Sequence, residues 1–273
     1  MNLLRALSVA MLLGCGAPPL LACGGGGSEE NTACDKGGPT GDAQETVQVN
    51  GVERSFFAHV PTAAANRSVA LVFAYHGDGG KGESLRKSLK LEEQTQDLAI
   101  VIYPDARGGS FDIDTQQGNP DVAFFDAVVE RYRASHCITK VFATGFSRGG
   151  YFANHLACYR GDKLAGVASH GSGGPYAAPY ANGDLQCPSA PTASLVVHGL
   201  DDKSVQVSEA DKTIKQWTRT LGCSDKTSAS APEPCVEYNG CKRPLEVCKV
   251  PGLGHSVWDQ GIAKTWSFFQ SQL

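Results

Sequence analysis

Residues 145–149 (GFSRG) place a serine between two glycines in the pattern Gly-x-Ser-x-Gly. The motif follows residues 141–144, which predict a buried strand, and precedes residues 150–159, which predict a helix. A serine at such a strand-to-helix turn takes a strained backbone conformation, and the glycines let strand and helix approach without Cβ clashes. The alternative is a glycine-rich turn whose serine only caps the helix. Ser147 is therefore a candidate nucleophile.

A nucleophilic serine needs a base and a carboxylate that orients the base, and two later segments supply both. Asp201 and Asp202 follow the apolar residues 194–198, and His255 lies in a glycine-rich loop before the last predicted helix. Serine, then aspartate, then histidine is the chain order of α/β-hydrolases and differs from the two common serine-protease orders. We predict that His255 is the base and Asp202 the acid, with Asp201 a residue of the loop surface.

We predict structural roles for the other histidines of the chain. His59, His136 and His155 fall in a predicted strand or on predicted helices, which favours packing or surface positions. His170 and His198 end strands close to the candidate site, which favours structural hydrogen bonds.

The tetrahedral intermediate formed when such a serine attacks a carbonyl also needs backbone N–H donors for its oxyanion. The residue after the nucleophile, Arg148, offers one donor. The second is predicted in the loop after an early strand, residues 75–80 (YHGDGG), at the N–H of Asp78, with Gly79 as second choice. The alternative is a plain glycine-rich turn.

The surrounding segments predict a mostly parallel central sheet with helices on both faces. Asn50-Gly51 predicts a type I′ turn, so an antiparallel hairpin opens the domain. Alternation of strands and helices indicates βαβ units. Residues 160–201 contain two short strands and leave little room for a large lid domain, and residues 224–234 predict an insertion loop held near its ends by Cys223 and Cys235. The predicted strands are 45–49, 54–60, 69–75, 100–103, 141–145, 164–169 and 194–198; the predicted helices are 83–98, 122–136 (capped by Asp121), 150–159, 208–221 and 263–273.

Residues 1–22 predict an export signal of lipoprotein type, because Arg5 precedes a short apolar run that is broken by prolines. Two lipoprotein-like boxes end at Cys15 and Cys23. Cleavage before Cys23 leaves that cysteine for lipid and an even number for pairing, so we expect Cys23 to be lipidated and residues 23–33 to form a Gly-rich tether. An ordinary cleaved signal and a freely secreted product are the alternative. Both place the protein outside the cell or in the cell envelope.

Composition narrows the remaining classes of function. The chain has 273 residues and a formal net charge of −4, which gives no basic footprint for nucleic acid. We expect residues 34–273 to form one domain, a monomer that reaches a membrane only through its lipid. Motifs for zinc proteases, phosphate loops and dinucleotides do not occur, so no metal or cofactor is implied.

Several stretches resemble extracellular serine esterases grouped with polyhydroxybutyrate depolymerases and feruloyl esterases. The resemblance implies the α/β-hydrolase fold and an ester substrate, selects Asp202 and His255, and implies that Trp258 lines the cleft. It differs at Asp259, where depolymerase-like members often have proline, and at residues 105–120, which do not closely match the aromatic substrate loop of feruloyl esterases. The matching motifs are YHGDGG (75–80), CITKVFATGFSRGG (137–150), ACYR (157–160), VHGLDDKSV (197–205), LGC (221–223), YNGC (238–241) and GLGHSVW (252–258).

The eight remaining cysteines allow 105 connectivities. The resemblance implies four disulfides: Cys34–Cys137, Cys158–Cys187, Cys223–Cys241 and Cys235–Cys248. Zinc is the competing interpretation of the cluster between residues 223 and 248, but Cys-x₂-Cys spacing does not occur there.

Together these features predict an esterase that forms an acyl-enzyme on Ser147. The expected substrates are feruloyl or acetyl esters of plant cell-wall polysaccharide, with the polyester polyhydroxybutyrate as the alternative. A different class of function, a surface lipoprotein that binds without turnover, would have no need of serine, aspartate and histidine together.

Overall fold

The apolar runs predicted as buried strands form the centre of one large sheet in the computed structural model, which describes residues 33–176, 180–181 and 184–273. Val69–Tyr75, Ala99–Pro104 and Ala193–Gly199 are buried along their whole length. Strands of a parallel sheet are covered on both faces, and this is why their sequences are continuously apolar. The predicted signal peptide, Cys15, Cys23 and nearly all of the tether lie outside the described residues.

The sheet has ten strands in the order β1-β2-β4-β3-β5-β6-β9-β12-β11-β10. Its six central strands, from β4 to β12, are parallel. An antiparallel hairpin, β1–β2, borders them on one side, and the antiparallel strands β11 and β10 border them on the other. The strands are β1 (Gly41–Val49), β2 (Val52–Val60), β3 (Val69–Tyr75), β4 (Ala99–Pro104), β5 (Ile138–Phe146), β6 (Gly166–His170), β7 (Tyr180–Ala181), β8 (Asp184–Leu185), β9 (Ala193–Gly199), β10 (Thr227–Ala229), β11 (Cys235–Tyr238) and β12 (Leu245–Val250); β7 and β8 pair separately.

Helices cover both faces of this sheet and divide the core into two layers. One layer includes Phe125, Phe152 and Trp217, and the other includes Leu91 and Phe269. The fold predicted from the sequence, a mostly parallel α/β sheet with an N-terminal hairpin, is confirmed. The helices are α1 (Gly82–Leu89), α2 (Leu91–Thr95), α3 (Pro120–Ser135), α4 (Arg148–Tyr159), α5 (Val207–Leu221) and α6 (Gly261–Gln270).

Two differences between the predicted and the observed helices have a clear local cause. The helix expected over residues 83–98 is interrupted at Lys90, whose left-handed backbone (φ 46°) ends α1 and begins α2. Asp121 was the wrong choice of cap for α3, because Asn119 holds that position and its side chain accepts from the N–H groups of Asp121 and Val122. Pro120 then occupies the first helical position, where its missing N–H costs nothing. The Asp121 carboxylate instead pairs with the buried Arg54 at 2.5 Å.

The predicted insertion loop is also wrong in part. Residues 227–229 form β10, which pairs with β11, and β11 pairs with β12. Cys223 and Cys235 do not close this segment on itself, since each bonds to a cysteine further along the chain. β10 (TSA) is polar and β11 (CVEY) has only four residues, so neither sequence has an apolar alternation long enough to predict a strand.

Four disulfides staple the described chain, and they join the same cysteines that the resemblance implies. Cys34–Cys137 closes the longest separation, 103 residues, and ties the start of the described chain to the start of β5. Cys235–Cys248 joins residues that face each other across β11 and β12. The other two bonds are Cys158–Cys187 and Cys223–Cys241.

Candidate active site

Ser147 lies at a sharp turn between β5 and α4, with φ 52° and ψ −124°. Its N–H donates to the His170 carbonyl oxygen at 2.9 Å, which holds this strained backbone in place. The two flanking positions need glycine because a Cβ atom would clash with the neighbouring backbone. A Cβ on Gly145 would lie 2.3 Å from the Gly149 backbone, and a Cβ on Gly149 would lie 2.1 Å from the Tyr75 carbonyl oxygen. The turn therefore presents the serine hydroxyl at the carboxyl end of the sheet.

Ser147, His255 and Asp202 form one chain of hydrogen bonds. The Ser147 Oγ lies 3.0 Å from His255 Nε2, and His255 Nδ1 lies 2.7 Å from Asp202 Oδ2. Asp202 follows β9 and His255 follows β12, which are neighbouring parallel strands whose carboxyl ends meet at one edge. Three residues spread over 108 positions of the chain are thus brought together by the topology of the sheet.

The carboxylate of Asp202 is buried and firmly held. Its Oδ1 accepts from the N–H groups of Ser204 and Val205 at 2.9 and 2.8 Å. Burial alone would raise the pKa of Asp202, but the hydrogen bonds from His255 and from these amides outweigh it and hold the pKa below its ordinary value. An ionised carboxylate only accepts, so the proton of neutral His255 sits on Nδ1 and the Nε2 lone pair faces Ser147. The neighbouring Asp201 is exposed.

Two buried histidines make hydrogen bonds close to these three residues. His198 Nε2 donates to the Val205 carbonyl oxygen at 2.9 Å and lies 3.7 Å from Asp202 Oδ2, so it fixes the turn that carries the acid. His170 Nε2 lies 2.9 Å from the hydroxyl of Thr265 on α6. Burial lowers the pKa of His170 to about 4, so the ring is neutral at ordinary pH.

Histidines away from the site have other partners. His155 is buried in α4 with its ring stacked on Tyr159, and burial lowers its pKa to about 4. His136 lies at the end of α3, where its ring nitrogen Nε2 contacts the Pro39 carbonyl oxygen. His59 pairs with Asp42 near the edge of the β1–β2 hairpin. None of the three touches Ser147 in the contacts of the described residues.

The loop at residues 75–80 runs directly beside Ser147, since a Cβ on Gly77 would lie 3.3 Å from the Ser147 Cβ. The N–H of Gly79 donates to the Gly109 carbonyl oxygen at 2.8 Å and is therefore occupied. The N–H of Asp78 makes no backbone hydrogen bond within the described part of the chain. Arg148 is the first residue of α4, where a backbone N–H has no partner within the helix. Asp78 and Arg148 thus offer free donors next to Ser147.

Residues 106–111, here called the buttress loop, make hydrogen bonds to this donor region. No motif in the sequence predicts these contacts. The N–H of Ala106 donates to His76 Nε2 at 3.1 Å, and the hydroxyl of Ser110 donates to Asp78 Oδ1 at 2.5 Å. The Phe111 carbonyl oxygen accepts from Arg148 Nε at 2.8 Å. One loop therefore contacts the side chains of both Asp78 and Arg148.

Known proteins with similar sequences are esterases. No protein-family model matches the chain. A probable feruloyl esterase C of Aspergillus terreus is 27% identical over 254 residues, 84% of this chain and 90% of that protein. Feruloyl esterase C of Emericella nidulans is 26% identical over 82% of this chain and 86% of its own, and feruloyl esterase D of Neurospora crassa is 27% identical over 96% of both.

Solved structures agree with this result at the level of the fold. Acetyl xylan esterase from Aspergillus awamori superposes with a TM-score of 0.65 at 20% identity, over 83% of this chain and 99% of that one. Est1E from Butyrivibrio proteoclasticus superposes with a TM-score of 0.55 at 15% identity, over 84% and 98%. The chain has the α/β-hydrolase fold and is similar in sequence to feruloyl esterases.

A cavity of about 630 Å³ opens beside His255. The ends of α1 and α2 form one wall, and residues 255–263 form the other. Trp258 contributes to the second wall, with most of its ring packed into the core. That Trp258 lines the substrate cleft, as the resemblance implies, stays a prediction.

Two further observations apply to the described residues only. Among them, no three His, Cys, Asp or Glu side chains gather in a way that could hold a metal ion. Within the same residues, no helix has the length and apolar character needed to cross a membrane.

Proposed function

We propose that the protein is a serine carboxylic-ester hydrolase that forms an acyl-enzyme on Ser147. The observation that carries the proposal is the hydrogen-bonded chain from Ser147 through His255 to the buried carboxylate of Asp202. A hydroxyl, a neutral imidazole and an ionised acid in this order are the parts of a nucleophile activated by a general base.

The proposed reaction proceeds in two halves. His255 Nε2 takes the proton of the Ser147 hydroxyl as Oγ attacks the ester carbonyl carbon, and the oxyanion accepts from the N–H groups of Asp78 and Arg148. The intermediate collapses when His255 returns the proton to the departing alcohol. Water, activated by His255, then attacks the acyl-serine and releases the acid.

We propose esters of plant cell-wall polysaccharide, feruloyl or acetyl in type, as substrates. The names of the sequence relatives support the first acyl group, and the similarity in fold to an acetyl xylan esterase is compatible with the second. A polymer substrate also fits the chain segment between α4 and Asp202, which contains short strands and no large described lid.

We also propose that the enzyme acts outside the cell or in the cell envelope, as a monomer tethered through lipid on Cys23. Four disulfides favour an oxidising compartment, and the first residues of the sequence have the pattern of a lipoprotein signal. Metabolic labelling with a fatty-acid probe, compared between the full chain and Cys23→Ala, tests the anchor. Equal labelling of the full chain and Cys23→Ala would contradict lipid attachment at Cys23.

Hydrolysis of p-nitrophenyl acetate by the wild type and by Ser147→Ala tests the reaction. We expect the variant to lose about 10³-fold or more in kcat, as triad knockouts do. Ser84→Ala, an exposed serine of α1, is the matched control and should keep wild-type activity. Equal rates of hydrolysis by the wild type and Ser147→Ala would contradict the proposed esterase mechanism and would favour a protein that binds without turnover.

Three substrates then test specificity: methyl ferulate, acetylated xylan and a short oligomer of 3-hydroxybutyrate. We expect kcat/KM to be highest for one of the two cell-wall type esters. Preference for the hydroxybutyrate oligomer would identify a polyester depolymerase instead.

A further inference from the structure

Another cavity, of about 470 Å³, lies at the end of the sheet opposite to Ser147. Its walls come from the segments in which the parallel strands β5, β6, β9 and β12 begin, whereas Ser147, Asp202 and His255 follow the ends of such strands. We call it the basic cavity, because four cationic side chains line it: Arg133, Lys140, Lys163 and Arg243.

Three of these four cations are not neutralised by the protein. Arg133, Lys140 and Arg243 are exposed, and their charged groups form no ion pair or hydrogen bond within the described part of the chain. Lys163 differs, because its ammonium group pairs with a carboxylate of α3 at 2.7 Å. Asp162 is the one carboxylate among the described residues of the lining. On a chain with a formal net charge of −4, the cavity is therefore a local positive surface.

The described chain begins on this same side of the sheet. Cys34 is bonded to Cys137, which stands directly before β5. The Lys36 ammonium then donates to the Arg133 carbonyl oxygen, so the first described residues pass beside the basic cavity. The lysine also adds a further positive charge to this part of the surface.

The anchor of the proposed function attaches close to this surface. Ala33, the first described residue, comes ten positions after Cys23, and a chain of that length spans at most about 35 Å. Lipid on Cys23 would thus keep the basic cavity near the membrane. A single acyl chain binds a membrane only weakly, and a neighbouring group of lysine and arginine side chains strengthens binding because it attracts anionic lipid headgroups.

We propose that the basic cavity and its rim form a docking surface for anionic phospholipid headgroups. This inference rests on the lipid anchor of the proposed function and adds a direct contact between the folded domain and the membrane. The contact is electrostatic, between headgroup phosphates and the charged groups of Arg133, Lys140 and Arg243. Because the cavity and Ser147 lie at opposite ends of the same sheet, a domain docked in this way presents Ser147 on the side away from the membrane.

Binding to lipid vesicles tests the surface without the lipid anchor. The full chain carrying Cys23→Ala is mixed with vesicles of phosphatidylcholine, with and without phosphatidylglycerol, and the bound fraction is measured by sedimentation. We expect stronger binding to the vesicles that contain phosphatidylglycerol. The preference should disappear in about 1 M salt, where the Debye length is about 3 Å. Residues 1–22 are common to all variants, so binding through them does not contribute to the differences.

A triple variant in the same Cys23→Ala chain removes the three unpaired cations: Arg133→Gln, Lys140→Gln and Arg243→Gln. Each lysine or arginine near an anionic surface strengthens binding about fivefold, so we expect binding to the anionic vesicles to fall about 10- to 100-fold. All three side chains are exposed and far from the catalytic residues, so hydrolysis of p-nitrophenyl acetate should stay at the wild-type rate and show that the variant is folded.

A second triple variant is the matched control, because it removes three exposed lysines that do not line the basic cavity: Lys87→Gln, Lys215→Gln and Lys226→Gln. It lowers the net charge by the same amount as the first triple variant. Its binding to the anionic vesicles should fall less than about threefold, since charges further from the headgroups than a Debye length are screened.

Two results would overturn the proposal at this point: unchanged binding of the first triple variant, or an equal loss in both triple variants. A third would be binding of polygalacturonate through the same three cations with no preference for anionic vesicles, which would identify an acidic polysaccharide as the occupant. Fatty-acid labelling of Cys23 and vesicle binding can fail separately, because the vesicle experiment uses chains that carry no lipid on Cys23.

Discussion

At the scale of single residues, the contrast between Asp201 and Asp202 shows how the fold distinguishes two neighbouring carboxylates. Asp202 is buried and accepts from two backbone N–H groups and from His255, while Asp201 is exposed. Hydrogen bonds that favour the ionised form keep the pKa of Asp202 low despite its burial. The carboxylate that contacts His255 Nδ1 is thus held in its ionised form.

We predict that Asp202→Asn lowers kcat by about 10³- to 10⁴-fold, because an amide no longer selects the histidine tautomer whose Nε2 accepts the serine proton. Asp201→Asn is the matched control and should retain kcat within about twofold. Both variants are compared on p-nitrophenyl acetate after circular dichroism has shown that they are folded. A similar loss in the two variants would contradict the assignment of Asp202.

At the scale of elements, the buttress loop is the part that joins the two sides of the proposed oxyanion site. It hydrogen-bonds Asp78 through Ser110, and it holds the Arg148 side chain through the Phe111 carbonyl oxygen. It also occupies the N–H of Gly79 with the Gly109 carbonyl oxygen, which leaves the N–H of Asp78 as the donor on that side. We therefore regard Ser110 as a positioning residue.

We predict that Ser110→Ala lowers kcat about tenfold with little change in KM, because a less well-placed donor stabilises the oxyanion and not the bound ester. Ser110→Thr keeps a hydroxyl and should recover most of the activity. Ser84→Ala again serves as the control. If the alanine variant instead raised KM with kcat intact, or if threonine gave no rescue, the loop would have only a structural role.

At the scale of the whole molecule, buried histidines couple stability to pH. His155 and His170 both have a pKa lowered to about 4 by burial, against an ordinary value of 6.5. Between about pH 4 and pH 6.5 the unfolded chain therefore binds protons that the folded chain excludes. The free energy of unfolding is thus highest above pH 6.5 and falls as the pH is lowered toward 4.

We predict that urea titrations show a lower free energy of unfolding at pH 5 than at pH 7.5, and that His170→Asn has a shallower dependence on pH. Each pKa unit corresponds to about 1.4 kcal/mol, so the share of one histidine is measurable. The variant should be less stable overall, since it leaves the Thr265 hydroxyl without its present partner. Identical pH slopes in the two proteins would contradict the prediction.

Much of the fold was predictable from the sequence because its signals are local. A buried parallel strand is a continuous apolar run, so residues 69–75 were assigned with the bounds that the structure has. Boundaries set by single side chains were harder. Asn119 and Asp121 are both good caps, and only the ion pair between Asp121 and the distant Arg54 shows why Asn119 takes that role. The strands β10 and β11 are too short for a recognisable pattern of apolar residues, and pairing with neighbouring strands holds them in the sheet.

The sequence by itself determined the fold class and predicted Ser147, Asp202 and His255, in that chain order, as the candidate catalytic residues, since motifs, strands and turns depend on neighbouring residues. The tertiary structure alone decided their distances, the occupation of the Gly79 N–H by a residue thirty positions away, and the cavity between α1–α2 and the loop of His255. These features arise where segments far apart in the chain meet. Their geometry depends on how the sheet brings strand ends together, and no local pattern of residues records it.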